Sequence, residues 1–162
     1  MSNDDFTADE WDDVTAAPVA AAAVISAVDY SALSEQKELD AFHRFFERSA
    51  ASHSKSQLVQ AVFAACAGDD LEAFREICDR VAAQQSGDTP IEDNMRHIGR
   101  VARMVEDRAS AEEATAYKKF VYDCALLVAR AHREHPLPFA NPISRKEDFH
   151  LRRLGRELRV RS

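Results

Sequence analysis

The side chains with chemistry to offer in this chain are mostly carboxylates and histidines, and their spacing says what they could do. Asp29 is the lone acid at the end of an alanine-rich apolar stretch, and Glu35 and Glu38 stand where the next helical pattern opens. Acids at the stop of one helix and the start of another can aim their oxygens at a hard cation, which needs several oxygen ligands at short range. They can equally be ordinary helix-end acids, because the helix dipole favours negative charge in a first turn. Glu147-x-x-His150 has the spacing of half a carboxylate-bridged di-iron site, and Asp40-x-x-His43 is a weaker analogue. Such a site wants two Glu-x-x-His helices and two further Glu. Only one true copy is present, so a carboxylate-bridged metalloenzyme ranks last. His132-x-x-His135 beside Glu134 could take Zn2+, but an exposed helix end carrying cationic His is the preferred reading. The sequence has no Gly-x-Ser-x-Gly, no adjacent Cys and His and no glycine-rich phosphate loop, which leaves nucleophilic and nucleotide chemistry without support.

The elements that must position these residues are helices. The chain has 162 residues, 46% of them hydrophobic and 30% charged, with four Gly and five Pro, a composition that favours helix. No stretch alternates with period two, so no sheet is expected. Three capping boxes are legible: Thr7 with Glu10, Ser110 with Glu113, and Ser144 with Glu147. Pro18 suits a first turn and not a helix interior, which predicts a break near Ala17 and a second helix from Pro18 to about Val28. Apolar stripes at spacings of three and four mark the rest. They are Leu39, Phe42 and Phe46; Leu58, Val62 and Cys66; Phe74, Ile77 and Val81; Ile91, Met95, Ile98, Ala102 and Val105; and Leu151, Leu154 and Leu158. Gly68 is expected just past one helix end, Asp69 or Asp70 to cap the next helix, and Thr89 followed by Pro90 to open another. The segment 111–134 carries Tyr117, Phe120, Val121, Cys124 and Val128 and is expected to be the central helix. The expectation is an all-α, irregular or orthogonal bundle of about seven to eight helices. It forms a single domain over 7–160, behind a disordered acidic N-terminus at 1–6.

Charge narrows the partners. The formal net charge is −7, which argues against nucleic acid. It is unevenly spread: Asp4, Asp5, Asp9, Glu10, Asp12 and Asp13 crowd the start, whereas Arg145, Lys146, Arg152, Arg153, Arg156, Arg159 and Arg161 crowd the end. These opposite ends could attract each other within one molecule or between copies. The basic last helix also suggests docking on anionic lipid, a peripheral association ranked below a plain solvated face. No apolar run is long enough to span a membrane and no secretory signal is legible, so a cytoplasmic protein is expected. Cys66, Cys78 and Cys124 read as buried, reduced thiols. Trp11, beside the acidic arm, could anchor a partner, although packing against the core is the favoured alternative.

Thr7, Glu10 and Trp11, then Ala17-Pro18, then a small-residue helix ending in Ala27 and Asp29, form a pattern with Ser34-Glu35 opening the next helix. Towards the other end come Tyr117-Lys118-Lys119, Val128-Ala129-Arg130-Ala131 and Ile143-Ser144-x-x-Glu147, closing in Leu154 and Leu158. Together these resemble the TerB-like (tellurite-resistance) helical domains. The resemblance implies two pseudo-symmetric helical halves and a metal-chelating cluster at Asp29, Glu35 or Glu38, Glu134 and Glu147, with Ca2+ or Mg2+ ahead of Zn2+. It also implies roles in tellurite and stress resistance, other proteins as partners (a second copy included) and no catalytic reaction. Tyr30 stands where the family has glycine, and His132-Arg133-Glu134-His135-Pro136 replaces the second acid turn. The alternative is therefore a protein–protein interaction or scaffold domain, homodimeric or otherwise, that binds no metal.

Overall fold

The computed structural model describes residues 5–26, 35–66, 71–84, 90–131 and 143–160. Seven α-helices account for nearly all of them: α1 (Ala8–Ser26), α2 (Glu35–Ser52), α3 (Gln57–Cys66), α4 (Leu71–Gln84), α5 (Pro90–Arg108), α6 (Ala111–Ala131) and α7 (Arg145–Leu158). No strand occurs among the described residues. The protein is thus all-helical, as composition and periodicity require. No described helix is long and apolar enough to cross a membrane.

Two helices form the centre. From Val14 to Ala22 every residue of α1 but none of its flanking acids is buried, and Val24 and Ile25 continue the run. A helix that is apolar on all sides must be covered on all sides, and α1 packs against α3, α4, α5, α6 and α7. Its most extensive partner is α6, which buries Tyr117, Phe120, Val121, Cys124, Ala125 and Val128. Around them an aromatic contact chain ties α2, α4 and α6 together. The Phe46 ring lies 5.2 Å from Phe74 and 6.2 Å from Phe120, both edge-on, a favourable arrangement for ring quadrupoles.

The expected break at Pro18 does not occur. Pro18 lies inside a continuous 19-residue α1, which merges the first two expected helices into one. A proline in a helix interior removes the N–H that would bond the carbonyl four residues earlier, here that of Val14. The Tyr117 hydroxyl of α6 donates to the Val14 carbonyl oxygen at 2.7 Å. The orphaned acceptor is thereby satisfied from another helix, as a buried backbone carbonyl must be. Burial pushes the Tyr117 phenol well above its usual range, with Cys66, Cys124 and Asp13 adding to the shift, so the hydroxyl keeps its proton and stays a donor.

The remaining expectations divide by locality. The Thr7–Glu10 box is formed, with the Thr7 N–H donating to Glu10 Oε2 at 2.9 Å and the Glu10 N–H to Thr7 Oγ1 at 3.3 Å. Pro90 opens α5. Gly68, Asp69, Asp70 and Thr89 lie outside the described residues, as do residues 1–4 of the expected disordered arm. Within that arm Phe6 is buried, its ring 5.9 Å from Trp11. Cys66 and Cys124 are buried and Cys78 is half-buried, all as free thiols. Burial pushes Cys66 and Cys78 up to about 12 and Cys124 well above its usual range.

Tyr117→Phe should destabilise the protein by about 1–3 kcal/mol, because it strips the Val14 carbonyl of its donor in a dry site. In a Pro18→Ala background residue 18 regains an N–H, and the same change should cost less than half as much. Urea unfolding of the four proteins in this double-mutant cycle measures the difference. An equal cost in both backgrounds would show that the hydroxyl does not stand in for the missing N–H.

Candidate functional site

Of the five acids expected to form a cluster, Glu147 alone has a described side chain. Asp29 and Glu134 lie outside the described residues, and Glu35 and Glu38 are described only as the first turn of α2. Glu147 sits in the first turn of α7, three residues after the N-cap Ser144. The Ser144 N–H donates to Glu147 Oε2 at 2.8 Å, and the Glu147 N–H donates to Ser144 Oγ at 3.2 Å. The capping box read from the sequence is therefore complete. What the sequence does not reveal is that this carboxyl has 0% exposure. Acids in first turns ordinarily stay in water, and a carboxylate taken out of it needs compensating partners. The helix that carries Glu147 packs against α1.

The histidine motifs come to different ends. His150 is half-buried on α7, and its titration is lowered first by burial and then by the Arg153 cation. Its Nδ1 is buried with no hydrogen-bond partner among the described residues. Arg153 itself forks onto both oxygens of Glu92, tying α7 to α5. His43, of the weaker Asp40-x-x-His43 motif, lies among rings: its own is 5.9 Å from Phe74 and 6.5 Å from Phe63. His132 and His135 lie outside the described residues. Among the described residues no group of three or more His, Cys, Asp or Glu could hold a metal ion. Trp11 is half-buried against the core.

Two polar clefts were not legible in the sequence. One, of about 380 Å3, is lined by Asp13, Asp93, Asn94, Arg96, His97 and Arg100. Its charges balance: Arg96 pairs with Asp93 at 2.7 Å and Arg100 reaches Asp13 at 3.7 Å. Burial, more than any neighbour, lowers the His97 titration, with the Arg100 cation pushing the same way against Asp13. The acidic arm thus meets its counter-charges on α4 and α5. Glu10 binds Arg108 at 2.7 Å and Asp12 approaches Arg80 at 3.4 Å; neither is paired with the basic C-terminal helix.

The other cleft, of about 240 Å3, lies where α2 turns into α3 beside the start of α6 and includes His53, Lys55, Ser56, Glu112 and Glu113. His53 Nε2 lies 3.1 Å from Asp123 Oδ2. Glu113 was expected to close a local capping box with Ser110. Its N–H does donate to Ser110 Oγ at 3.2 Å, but its carboxylate caps a different helix. It accepts from Ser56 Oγ at 2.7 Å, Leu58 N–H at 2.9 Å and Gln57 N–H at 3.2 Å, at the open end of α3. Two orphan amides are satisfied by an acid that the α3 dipole also favours. Burial pushes the Glu113 carboxyl up, but the hydrogen bonds from Ser56, Leu58 and Gln57 outweigh it, and the group titrates below its usual range.

A carboxyl whose folded-state titration is depressed stabilises the fold above its unfolded value and loses that contribution as pH falls through the folded one. Stability should therefore drop on acidification below about pH 5. Glu113→Gln should be less stable at neutral pH and should show a shallower fall. Thermal unfolding of both proteins between about pH 7 and about pH 3 checks this; parallel curves would remove Glu113 from the acid response.

The chain matches no protein-family model, and no curated protein or solved structure matches it.

Proposed function

We propose that this protein works by binding and not by catalysis, as a TerB-like helical module. Its cation site would be Asp29, Glu35 or Glu38, Glu134 and Glu147, where α1 ends and α2 and α7 begin. The observation that carries this reading is the complete burial of Glu147 at the start of α7. A hard oxygen donor withdrawn from water, on a helix that packs against α1, fits Ca2+ or Mg2+ better than the softer ligand set of Zn2+. Glu147 would supply one ligand and the other acids the rest. The pseudo-symmetric halves, and a role in tellurite or stress resistance, follow from the same resemblance and stand or fall with it.

A second reading is a scaffold domain that binds a protein partner, or a second copy, without metal. Tyr30 in place of the family glycine and the His132–Pro136 turn favour it, because both alter the turns that would bring the acids together.

Thermal unfolding of chelator-stripped protein against Ca2+, Mg2+, Mn2+ and Zn2+ separates the two. An ion at a hundred times its dissociation constant adds about 2.7 kcal/mol to the folded state. For a chain of this size that is a rise of roughly 5–10 °C in Tm. The rise should appear with Ca2+ or Mg2+ and disappear in both Asp29→Asn and Glu147→Gln. A flat response across the four ions would leave the scaffold reading, to be pursued by sedimentation of the purified chain.

A further inference from the structure

Among the described residues, the outer face of α7 is a strongly charged surface that the core does not use. Leu151, Leu154 and Leu158 are buried, and Glu147 is buried with them. On the other side Arg145, Phe149, Arg152 and Arg156 follow one another at spacings of four, three and four, which keeps them on one helix face. All four are exposed, and Arg159 extends the line just past the helix end. Phe149 is the most exposed large apolar residue described, at 57%. Its ring stands edge-on to His150 with centroids 5.2 Å apart, so it is held outward beside the cations.

The cations divide into occupied and available ones. Arg153 is taken by Glu92, Arg152 bridges to Asp148 at 3.0 Å, and Arg159 reaches Glu106 at 3.3 Å. Glu106 is shared with the buried Lys118, so that trio keeps a positive surplus. Arg145, Lys146 and Arg156 have no carboxylate partner among the described residues. The acid on the far flank, Glu157, lies over Gly99 of α5, where an added Cβ would come within 2.6 Å of its Oε2. It is thereby drawn off the stripe. On a chain of net charge −7, this face thus sets three cations without a described carboxylate partner around an exposed aromatic ring.

From this arrangement we propose that α7 docks the protein on an anionic lipid bilayer, with phosphatidylserine-type headgroups against Arg145, Lys146 and Arg156 and the Phe149 ring entering the interface. The face is a convex helix surface with one aromatic on it. Guanidinium groups meet phosphate and carboxylate oxygens in a planar fork, and a planar array of such groups needs no groove. A protein interface of ordinary stability would need a larger apolar centre than one Phe ring. Charge asymmetry also orients the molecule, since the acidic remainder is repelled from the same surface.

The test is co-sedimentation of the full chain with vesicles of phosphatidylcholine, with and without about one third phosphatidylserine, at about 50 mM and about 500 mM salt. Binding is expected to the anionic vesicles alone and to vanish at high salt. Each cation at an anionic surface raises partitioning roughly fivefold. The triple change Arg145→Ser, Lys146→Ser and Arg156→Ser should therefore weaken binding roughly a hundredfold. Phe149→Ala should weaken it roughly tenfold, and because it removes only an exposed ring it should leave Tm unchanged and keep the proposal testable if the triple variant melts early. No binding to anionic vesicles would overturn the proposal. So would binding that survives both variants, or a face that ignores vesicles but captures a soluble polyglutamate, which would assign it to an acidic protein partner. The metal titration is read on the unaltered chain without vesicles, so failure here leaves that reading standing.

Discussion

The architecture depends on a proline that sits where the chain can least accommodate it. Pro18 lies in the middle of the most buried helix, and the carbonyl it orphans, that of Val14, has no water to turn to. The Tyr117 hydroxyl supplies the missing proton donor from across the core. Continuity of α1 therefore requires α6 to be in register with it, and the placement of every helix that packs on this pair follows. It also explains a polar hydroxyl at the heart of an apolar core: Tyr117 contributes a ring to the packing and a donor to a backbone that lacks one.

Around this pair the outer helices are aligned by charge. α5 runs against α1, with Arg108 at Glu10 and Arg100 at Asp13. α7 runs alongside α5, with Arg153 at Glu92, Glu157 at Gly99 and Arg159 at Glu106. Exposed pairs of this kind contribute little stability each, but opposite charges set at two points along a helix pair penalise a slipped register. Gly99 shows the same fit sterically: the helix interior tolerates a glycine there because the Glu157 side chain occupies the space of a Cβ.

What could be read in the sequence was what is decided locally. The Thr7–Glu10 and Ser144–Glu147 boxes form because both partners are three residues apart, and the leucine stripe of α7 is buried because its period matches the helix. What could not be read depends on residues far away in sequence. Pro18 has the local signature of a helix start, and its partner is a hydroxyl 103 residues from Val14. Glu113 has the signature of a local cap, yet its carboxylate serves amides 55 and 56 residues earlier. His43 has half a metal motif, and its neighbours turn out to be phenyl rings. Of the candidate site, the position of Glu147 was legible and its burial was not, since burial depends on what other helices place over it.

A helix completed by a distant hydroxyl cannot mature alone. Before α6 docks, α1 is two short segments on either side of Pro18, each below the roughly 12–15 residues at which an isolated helix holds together in water. Closing the contact spans most of the chain, so its loop-entropy cost comes before its reward. The amides of α1 should then acquire protection only when the C-terminal half of the chain has been made. During synthesis the most apolar segment of the protein is exposed longest, and it is the segment a chaperone would be expected to hold.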